Sequence, residues 1–229
     1  NDSLLAIALR EDTTLEQIIL DQHQIVQQFI IDSLSGGSGG SHGPFVIPVV
    51  VHVMHQGEPI GSGTNISDLQ IDAQIAALNN TFNSVGTNPF AHDPQITFCL
   101  AQNLPDLSTD WFAVNPTGTP GVTRKNDPLL SNHDLRFEQG LLTSIGFPPD
   151  RYLNIWIVGD ITGGPSGVLG YSPKPLIPNA ILDGIVIRFD VFGDNSINSL
   201  CPGCFNLQTD YDEGKILAHE IGHYLHVYH

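Results

Sequence analysis

The sequence predicts an α+β fold built on a mixed, mostly parallel, twisted sheet of about five strands. Three observations carry this prediction. A segment rich in β-branched residues is followed at once by an amphipathic helical pattern. Several short apolar segments then alternate with loops rich in Gly and Pro, and the chain closes on a second amphipathic pattern. A strand, a helix and further strands in this order indicate a sheet with one backing helix and one closing helix.

The first two elements have the clearest patterns. Residues 45–55, FVIPVVVHVMH, contain mainly β-branched and other apolar residues, which is typical of a buried strand. In residues 65–83, NISDLQIDAQIAALNNTFN, the apolar side chains recur at helical spacing. Either Ser67 or Asn65 can serve as the N-cap of this helix.

The remaining elements are shorter. A closing helix is predicted over 212–229, with Asp212 and Glu213 placed to interact favourably with its N-terminal dipole. Further strands are predicted at 96–101, 152–158, 168–172 and 183–192.

Composition changes divide the chain into three parts. Residues 1–34 have amphipathic helical spacing, which we interpret as a helical N-terminal arm or the remnant of a propeptide. A helix packed on the main domain explains that pattern equally well. Residues 35–43, SGGSGGSHG, have the composition of a flexible Gly/Ser linker. Residues 44–229 then form the main domain.

The charge balance excludes some partners. The chain has 8 Lys and Arg against 24 Asp and Glu, a formal net charge of −16. This charge repels phosphate backbones and anionic lipids, so nucleic acid is not an expected partner. No apolar run reaches the roughly 20 residues of a transmembrane helix. Loops containing Asp190, Asp194 and Asp210 make calcium a second candidate cofactor, although a solvated acidic loop explains them as well.

The three cysteines are Cys99, Cys201 and Cys204. Cys201 and Cys204 form a lone C-P-G-C pair, for which we expect a disulfide rather than zinc, because a structural zinc site needs about four ligands.

The most specific feature is HEIGHYLHVYH at 219–229, which contains four histidines. His219 and His223 lie one helical turn apart on one face, so both can reach one metal ion. Glu220 lies about 100° from His219, where its carboxylate can reach a water on that metal and act as a general base. A His-Glu-x-x-His pattern of this kind is a hydrolytic zinc signature.

A catalytic zinc usually has three protein ligands, and the candidates for the third are His226 and His229. In an unbroken helix, His229 would lie about 15 Å along the axis from His219, and His226 about 10 Å. We therefore expect the helix to end and the chain to turn sharply near residue 226, which would bring His229 back toward the metal.

With these residues in place, the chain resembles the metzincin zinc metallopeptidases, whose extended motif is His-Glu-x-x-His-x-x-Gly-x-x-His. It most resembles the pappalysin family. The segments IPVVVHV, GVTR, YLNIWIV, LGYS and DGIVI occur in the order typical of that family. The resemblance implies zinc ligands at His219, His223 and His229 and a general base at Glu220. It also implies that 44–229 is the metzincin-like catalytic upper subdomain.

Two departures from the family pattern bear on function. His226 stands where the family has Gly, whose left-handed backbone releases the third ligand. Metzincins also have a methionine turn after the third histidine, whereas the only Met here is Met54. We therefore expect a chain truncated after the zinc motif, without its lower subdomain. Its own C-terminal segment then becomes an expected partner.

The leading hypothesis is a secreted zinc-dependent endopeptidase in which zinc activates a water and Glu220 is the general base. The resemblance also suggests that peptide or protein substrates lie antiparallel along the edge strand near VLGYS. The alternative is a catalytically inactive, metzincin-like extracellular scaffold or assembly subunit.

Overall fold

The computed structural model describes residues 45–83, 95–101, 118–137, 140–141, 144–149, 151–172, 183–196, 205–225 and 227. The predicted arm at 1–34, the linker at 35–43 and the pair Cys201 and Cys204 lie outside the described residues. Cys99 is half-buried and is not in a disulfide.

The strands and helices predicted for the main domain are present, together with short additional elements that were not predicted. The helices are α1 (Asp68–Phe82), α2 (Pro128–Ser131) and α3 (Lys215–Tyr224). Short 3₁₀ helices occupy Leu135–Phe137, Phe189–Val191 and Thr209–Tyr211. The strands are β1 (Phe45–His55), β2 (Ile96–Leu100), β3 (Val122–Asn126), β4 (Asn132–Asp134), β5 (Leu153–Val158), β6 (Asp160–Thr162), β7 (Gly170–Tyr171) and β8 (Ile185–Arg188).

Within the described residues, the main sheet has six strands, and β1 is its central element. The order is β2-β1-β5-β8-β7, and β3 pairs with the second half of β1 on the same side as β2. All pairings are parallel except that of β7, which runs antiparallel to β8 at the edge. Parallel strands are buried on both faces, which explains why β1 and β5 are almost uniformly apolar. A separate two-stranded sheet joins β4 and β6.

Alternating side chains of the central strands fill two cores. On one face, Val53 and Ile155 pack with Leu78 of α1 and Leu217 of α3. On the opposite face, Met54, Trp156, Val186 and Tyr171 pack against loop and 3₁₀ residues that include Leu135. Both helices that were expected from the apolar periodicity therefore lie on the same side of the sheet.

The start of α1 is fixed by two polar contacts. The Ser67 hydroxyl accepts a hydrogen bond from the backbone N–H of Gln70 (3.1 Å), which makes Ser67 the N-cap, as one of the two predicted alternatives had it. Arg124 of β3 is buried and forms an ion pair with Asp68 in the first turn, and it also donates to the Asn65 side chain (2.8 Å). These partners bind the two terminal nitrogens of the buried guanidinium and anchor the helix to the sheet, whereas Nε of Arg124 has no hydrogen-bond partner among the described residues.

Three element boundaries differ from the sequence expectation. The segment 168–172 contributes only the two residues of β7, and 183–192 forms the strand β8 followed by a 3₁₀ turn. The closing helix covers Lys215–Tyr224 rather than 212–229, so Asp212 and Glu213 precede it and its first turn has no acidic residue. Its end at Tyr224 agrees with the expectation that the helix stops near residue 226. Within the described part of the chain, no helix has the length and apolar character needed to cross a membrane.

Candidate metal centre and active site

The N-terminal end of α3 is held by α1. Gly214 precedes the helix with φ 68°, and a Cβ there would lie 2.7 Å from Cβ of Ala77. Gln74 of α1 donates to the Gly214 carbonyl (2.9 Å) and accepts from the backbone N–H of Gly193 (2.7 Å). A glycine is therefore required for both backbone conformation and space, and the close approach fixes the starting point of the histidine helix.

The two motif histidines of α3 face one another. His219 is exposed, His223 is half-buried, and their Nε2 atoms lie 3.0 Å apart. Two imidazole nitrogens bound to one tetrahedral zinc lie about 3.3 Å apart. The donor pair thus already has nearly the spacing that a single zinc ion requires.

The end of α3 orients His223. The N–H of Leu225 bonds the Ile221 carbonyl (2.8 Å), and the N–H of Val227 bonds the Gly222 carbonyl (2.8 Å). The second bond closes six residues, as in a Schellman ending. His223 Nδ1 lies 3.0 Å from the Val227 carbonyl oxygen, which can only accept, so Nδ1 carries the proton. Nε2 of His223 is then the ring nitrogen directed at His219, which is the arrangement that a metal ligand needs.

Glu220 lies between α3 and the edge strand β7. Its side chain is 6 % exposed, and the backbone N–H of Ser172 donates to its carboxylate. Its Oε2 atom is buried without a hydrogen-bond partner among the described residues. Burial raises the pKa of the Glu220 carboxyl, and the nearby His223 and the Ser172 N–H partly oppose that rise. A buried, half-satisfied carboxylate beside two imidazoles can take up a proton.

A further contact fixes the last turn of α3. The Tyr224 hydroxyl donates to Oδ1 of Asp183 (2.7 Å), just before β8. Burial, together with the hydrogen bond to Asp183, raises the pKa of Tyr224 above its usual range. Tyr224 therefore stays protonated and holds the C-terminal end of the helix against the sheet.

The structure brings together three of the four predicted site residues, His219, Glu220 and His223. His229, the predicted third ligand, and His226, its rival, lie outside the described residues. Among the residues that the structure does describe, no three His, Cys, Asp or Glu side chains converge on one point. The three-ligand set therefore stays a prediction.

Calcium gains no support from the acidic loops. Asp190 pairs with Arg188 (2.7 Å) and accepts from Gln208 (2.8 Å), and Asp194 accepts from the Ser196 hydroxyl and N–H (2.6 Å each). Both carboxylate oxygens of Asp190 and Oδ1 of Asp194 thus already have protein partners.

Sequence patterns did not reveal the residues that support Glu220. The strand predicted at 168–172 includes Gly170 and Ser172 without giving them individual roles, and no partner spacing in the sequence marks His133. In the structure, His133 is buried and lies 2.8 Å from the hydroxyl of Tyr171, between Gly170 and Ser172. The strand pattern could have placed Gly170 and Ser172 on the same face of the strand. It could not have shown that this face packs against α3.

No family model matches the chain. Among curated proteins, it is 25% identical over 185 residues to an extracellular metalloprotease of Arthroderma benhamiae, covering 80% of this chain and 51% of that protein. It is also 24% identical over 222 residues to an extracellular metalloprotease of Colletotrichum graminicola, covering 95% of this chain and 62% of that protein. The chain thus spans about half to three-fifths of these relatives.

Solved structures of mirolysin from Tannerella forsythia have a similar fold. Mature mirolysin in complex with a cleaved peptide aligns with TM-score 0.55 and 30% identity, over 79% of this chain and 63% of that one. A promirolysin mutant aligns with TM-score 0.64 and 28% identity, over 95% and 65%. These similarities support a metallopeptidase family for the chain, and the predicted α+β fold class is confirmed.

Proposed function

We propose that the chain is the zinc-binding part of a secreted zinc-dependent endopeptidase of the pappalysin-like metzincin kind. One observation carries the proposal. The Nε2 atoms of His219 and His223 lie 3.0 Å apart, next to the buried and incompletely satisfied carboxylate of Glu220. Metalloproteases among the similar proteins support the same reaction class. The extracellular designation of the fungal relatives supports secretion.

The residues present fit zinc. Two neutral imidazoles are preferred zinc ligands, and the Val227 carbonyl holds His223 in the required tautomer. His229 would supply the third nitrogen. When bound, zinc supplies a Lewis acid that polarises the scissile carbonyl and acidifies a water.

Glu220 performs the proton transfers in this proposal. One side of its carboxylate is held by the Ser172 N–H, so the other oxygen remains available to accept a proton from water. The same carboxyl then passes the proton to the leaving amine, and no covalent acyl-enzyme forms. Burial favours the protonated intermediate state of Glu220, because desolvation disfavours its charge.

Strand β7 is the proposed binding edge for the substrate. Among the described residues, it is the last strand of the main sheet and is paired on one side only, with β8. A peptide chain added antiparallel to that open side would gain main-chain hydrogen bonds without a sequence requirement. Its scissile bond would then pass beside Glu220, which packs against the same strand.

The test uses the full-length protein, purified without chelator. We expect one zinc per chain by elemental analysis and cleavage of a denatured protein substrate. Glu220→Gln should keep the zinc but lower cleavage by on the order of 10²-fold or more, because the amide cannot accept the proton. Glu213→Gln is the matched control, since this exposed carboxylate pairs with Lys215 just before the helix. It should leave both readouts unchanged.

The outcomes separate the two candidate functions. A protein without stoichiometric zinc contradicts the metal site. A protein that binds zinc but cleaves no substrate supports the inactive scaffold instead. Equal cleavage by wild type and Glu220→Gln shows that Glu220 is not the base.

A further inference from the structure

A buried side-chain contact links the edge strand β7 to the second sheet. His133 of β4 is 2 % exposed and Tyr171 of β7 is 3 % exposed. His133 Nε2 lies 2.8 Å from the Tyr171 hydroxyl, and the two rings stack at 6.0 Å between centroids with 19° between their planes. Burial lowers the pKa of His133 to about 4, so at neutral pH the contact joins two uncharged groups.

Strand β7 has little backbone pairing of its own. Its two residues pair with Ile187 and Val186 of β8. In the described backbone, the one further hydrogen bond between this segment and β8 runs from the Arg188 N–H to the Leu169 carbonyl (2.9 Å). A short edge strand depends more than a central strand on side chains that hold it in place. The contact with His133 is one such side-chain anchor of β7.

The other end of the contact is firmly placed. His133 belongs to β4, which pairs with β6 over three residues, and the Thr162 hydroxyl donates to the His133 carbonyl (3.3 Å). Leu135 and Ile161 from these two segments belong to the same buried cluster as Tyr171. The second sheet thus offers a packed support rather than a flexible loop.

Strand alternation connects this support to Glu220. Tyr171 points into the core that includes Trp156, so Gly170 and Ser172 face the opposite side, toward α3. There the Ser172 N–H donates to the Glu220 carboxylate, and Gly170 leaves room for the Glu220 side chain. A displacement of Tyr171 would move both of these groups.

We propose that His133 is a positioning residue that acts through Tyr171, holding β7 at the distance from α3 at which the Ser172 N–H orients Glu220. This role rests on the proposed function, because it concerns the placement of the proposed base. The proposal predicts that the Tyr171 hydroxyl affects the position of Glu220, although the two groups lie on opposite faces of β7.

The experiment compares three variants of the full-length protein by amide hydrogen exchange and by peptide cleavage. Tyr171→Phe removes only the hydroxyl. His133→Gln keeps a polar group near the position of Nε2. Tyr211→Phe is the matched control, because it removes a hydroxyl from an exposed tyrosine in a 3₁₀ turn.

We expect Tyr171→Phe to accelerate exchange of the segment 168–172 about five- to tenfold, the size expected for the loss of one buried hydrogen bond. Exchange in α1 and β5 should stay at the wild-type rate. The kcat for peptide cleavage should fall by a similar factor in Tyr171→Phe. His133→Gln should keep most of the wild-type protection from exchange and most of the wild-type kcat. Tyr211→Phe should behave as wild type.

Two results would overturn the proposal. One is unchanged exchange of 168–172 in Tyr171→Phe. The other is equally accelerated exchange in all elements, which would show a general loss of stability. If the variants show the expected exchange pattern but the wild-type protein cleaves no peptide, the proposed function is overturned, whereas the role of His133 in holding β7 is supported.

Discussion

Gly170 and Glu220 are in close contact across the interface between β7 and α3. A Cβ placed on Gly170 would lie 3.4 Å from Cγ of Glu220 and 3.1 Å from the carbonyl oxygen of Val186. The backbone of Gly170 is outside the left-handed region, so this glycine is required for space rather than for conformation. A side chain here would press on the Val186 carbonyl of β8 and contact Glu220, whose carboxylate accepts from the Ser172 N–H.

Gly170→Ala should therefore displace Glu220 or strain β7. We expect a loss of about 1 kcal/mol in the free energy of unfolding and a fall in kcat, because overpacking forces neighbours from their preferred positions. Chemical denaturation and peptide cleavage measure the two effects. Gly140→Ala is the control, since a Cβ at Gly140 meets nothing within 4 Å. Equal behaviour of the two variants would show that the contact is not restrictive.

The metal site gives a second prediction. His223→Ala should reduce bound zinc from about one ion per chain to a small fraction, because a site that loses one of three ligands loses most of its affinity. Elemental analysis of the full-length protein measures this. Lys215→Ala, at an exposed position of the same helix, should keep its zinc. Full zinc in His223→Ala would mean that the ion binds elsewhere.

Local patterns were sufficient for the elements that bury one continuous apolar surface. β1, α1 and β5 were predicted within a few residues because the apolar runs of the two strands and the helical spacing of α1 directly report burial. β3 was missed as a strand because its sequence, VTRKN, includes buried Thr123 and Arg124, which are stable there only through partners such as Asp68. No pattern within five residues can reveal such distant partners.

The same distinction applies to the site. His219, Glu220 and His223 lie within one helical turn and a little more, so their arrangement follows from helix geometry alone. The contacts that complete the site join Tyr171 to His133 over 38 residues and Ser172 to Glu220 across the sheet edge. These contacts depend on the order of the strands in the sheet, which local sequence patterns do not reveal.

His52 gives a prediction for acid stability. It is fully buried in the sheet, where Nε2 donates to Oδ1 of Asn154 (2.9 Å) and Nδ1 accepts from the Thr123 hydroxyl (2.8 Å). The Asn154 amide is oriented by a pair of bonds to the backbone of Phe147 (2.9 Å each), which makes its oxygen the acceptor. Burial lowers the pKa of His52 to about 4, although its bond to Asn154 opposes this.

The sign of the pH effect follows from this lowered pKa. Below pH 6.5 the unfolded chain takes up a proton at His52, whereas the folded protein does not do so until about pH 4. The stability contributed by neutral His52 is therefore complete above pH 6.5 and is lost progressively between these values. The loss is about 1.4 kcal/mol per pH unit and on the order of 3 kcal/mol in total.

His52→Gln should remove this proton from the linkage. Plots of the free energy of unfolding against pH, from urea denaturation between pH 5 and 6, should be less steep for the variant by about one proton. The buried His133 contributes in both proteins, so the difference isolates His52. Parallel plots for wild type and His52→Gln would contradict a buried neutral imidazole at this position.

The last prediction concerns the turn that follows α3. The bond from the Val227 N–H to the Gly222 carbonyl closes the helix as a Schellman ending does, and in that motif the residue before the donor is commonly left-handed. The residue at this position is His226, whose own conformation lies outside the described residues. A side chain in a left-handed conformation costs on the order of 1 kcal/mol relative to Gly.

His226→Gly should therefore stabilise the zinc-bound, full-length protein by up to about 1 kcal/mol and leave peptide cleavage unchanged or faster. Asn80→Gly, at an exposed position inside α1, should instead destabilise by a few tenths of a kcal/mol, because Gly is the poorer helix former. Denaturation of both variants at saturating zinc measures the two signs. A destabilised His226→Gly would mean that residue 226 has a right-handed backbone, and that the chain reaches His229 by a different path from the glycine turn of the metzincins.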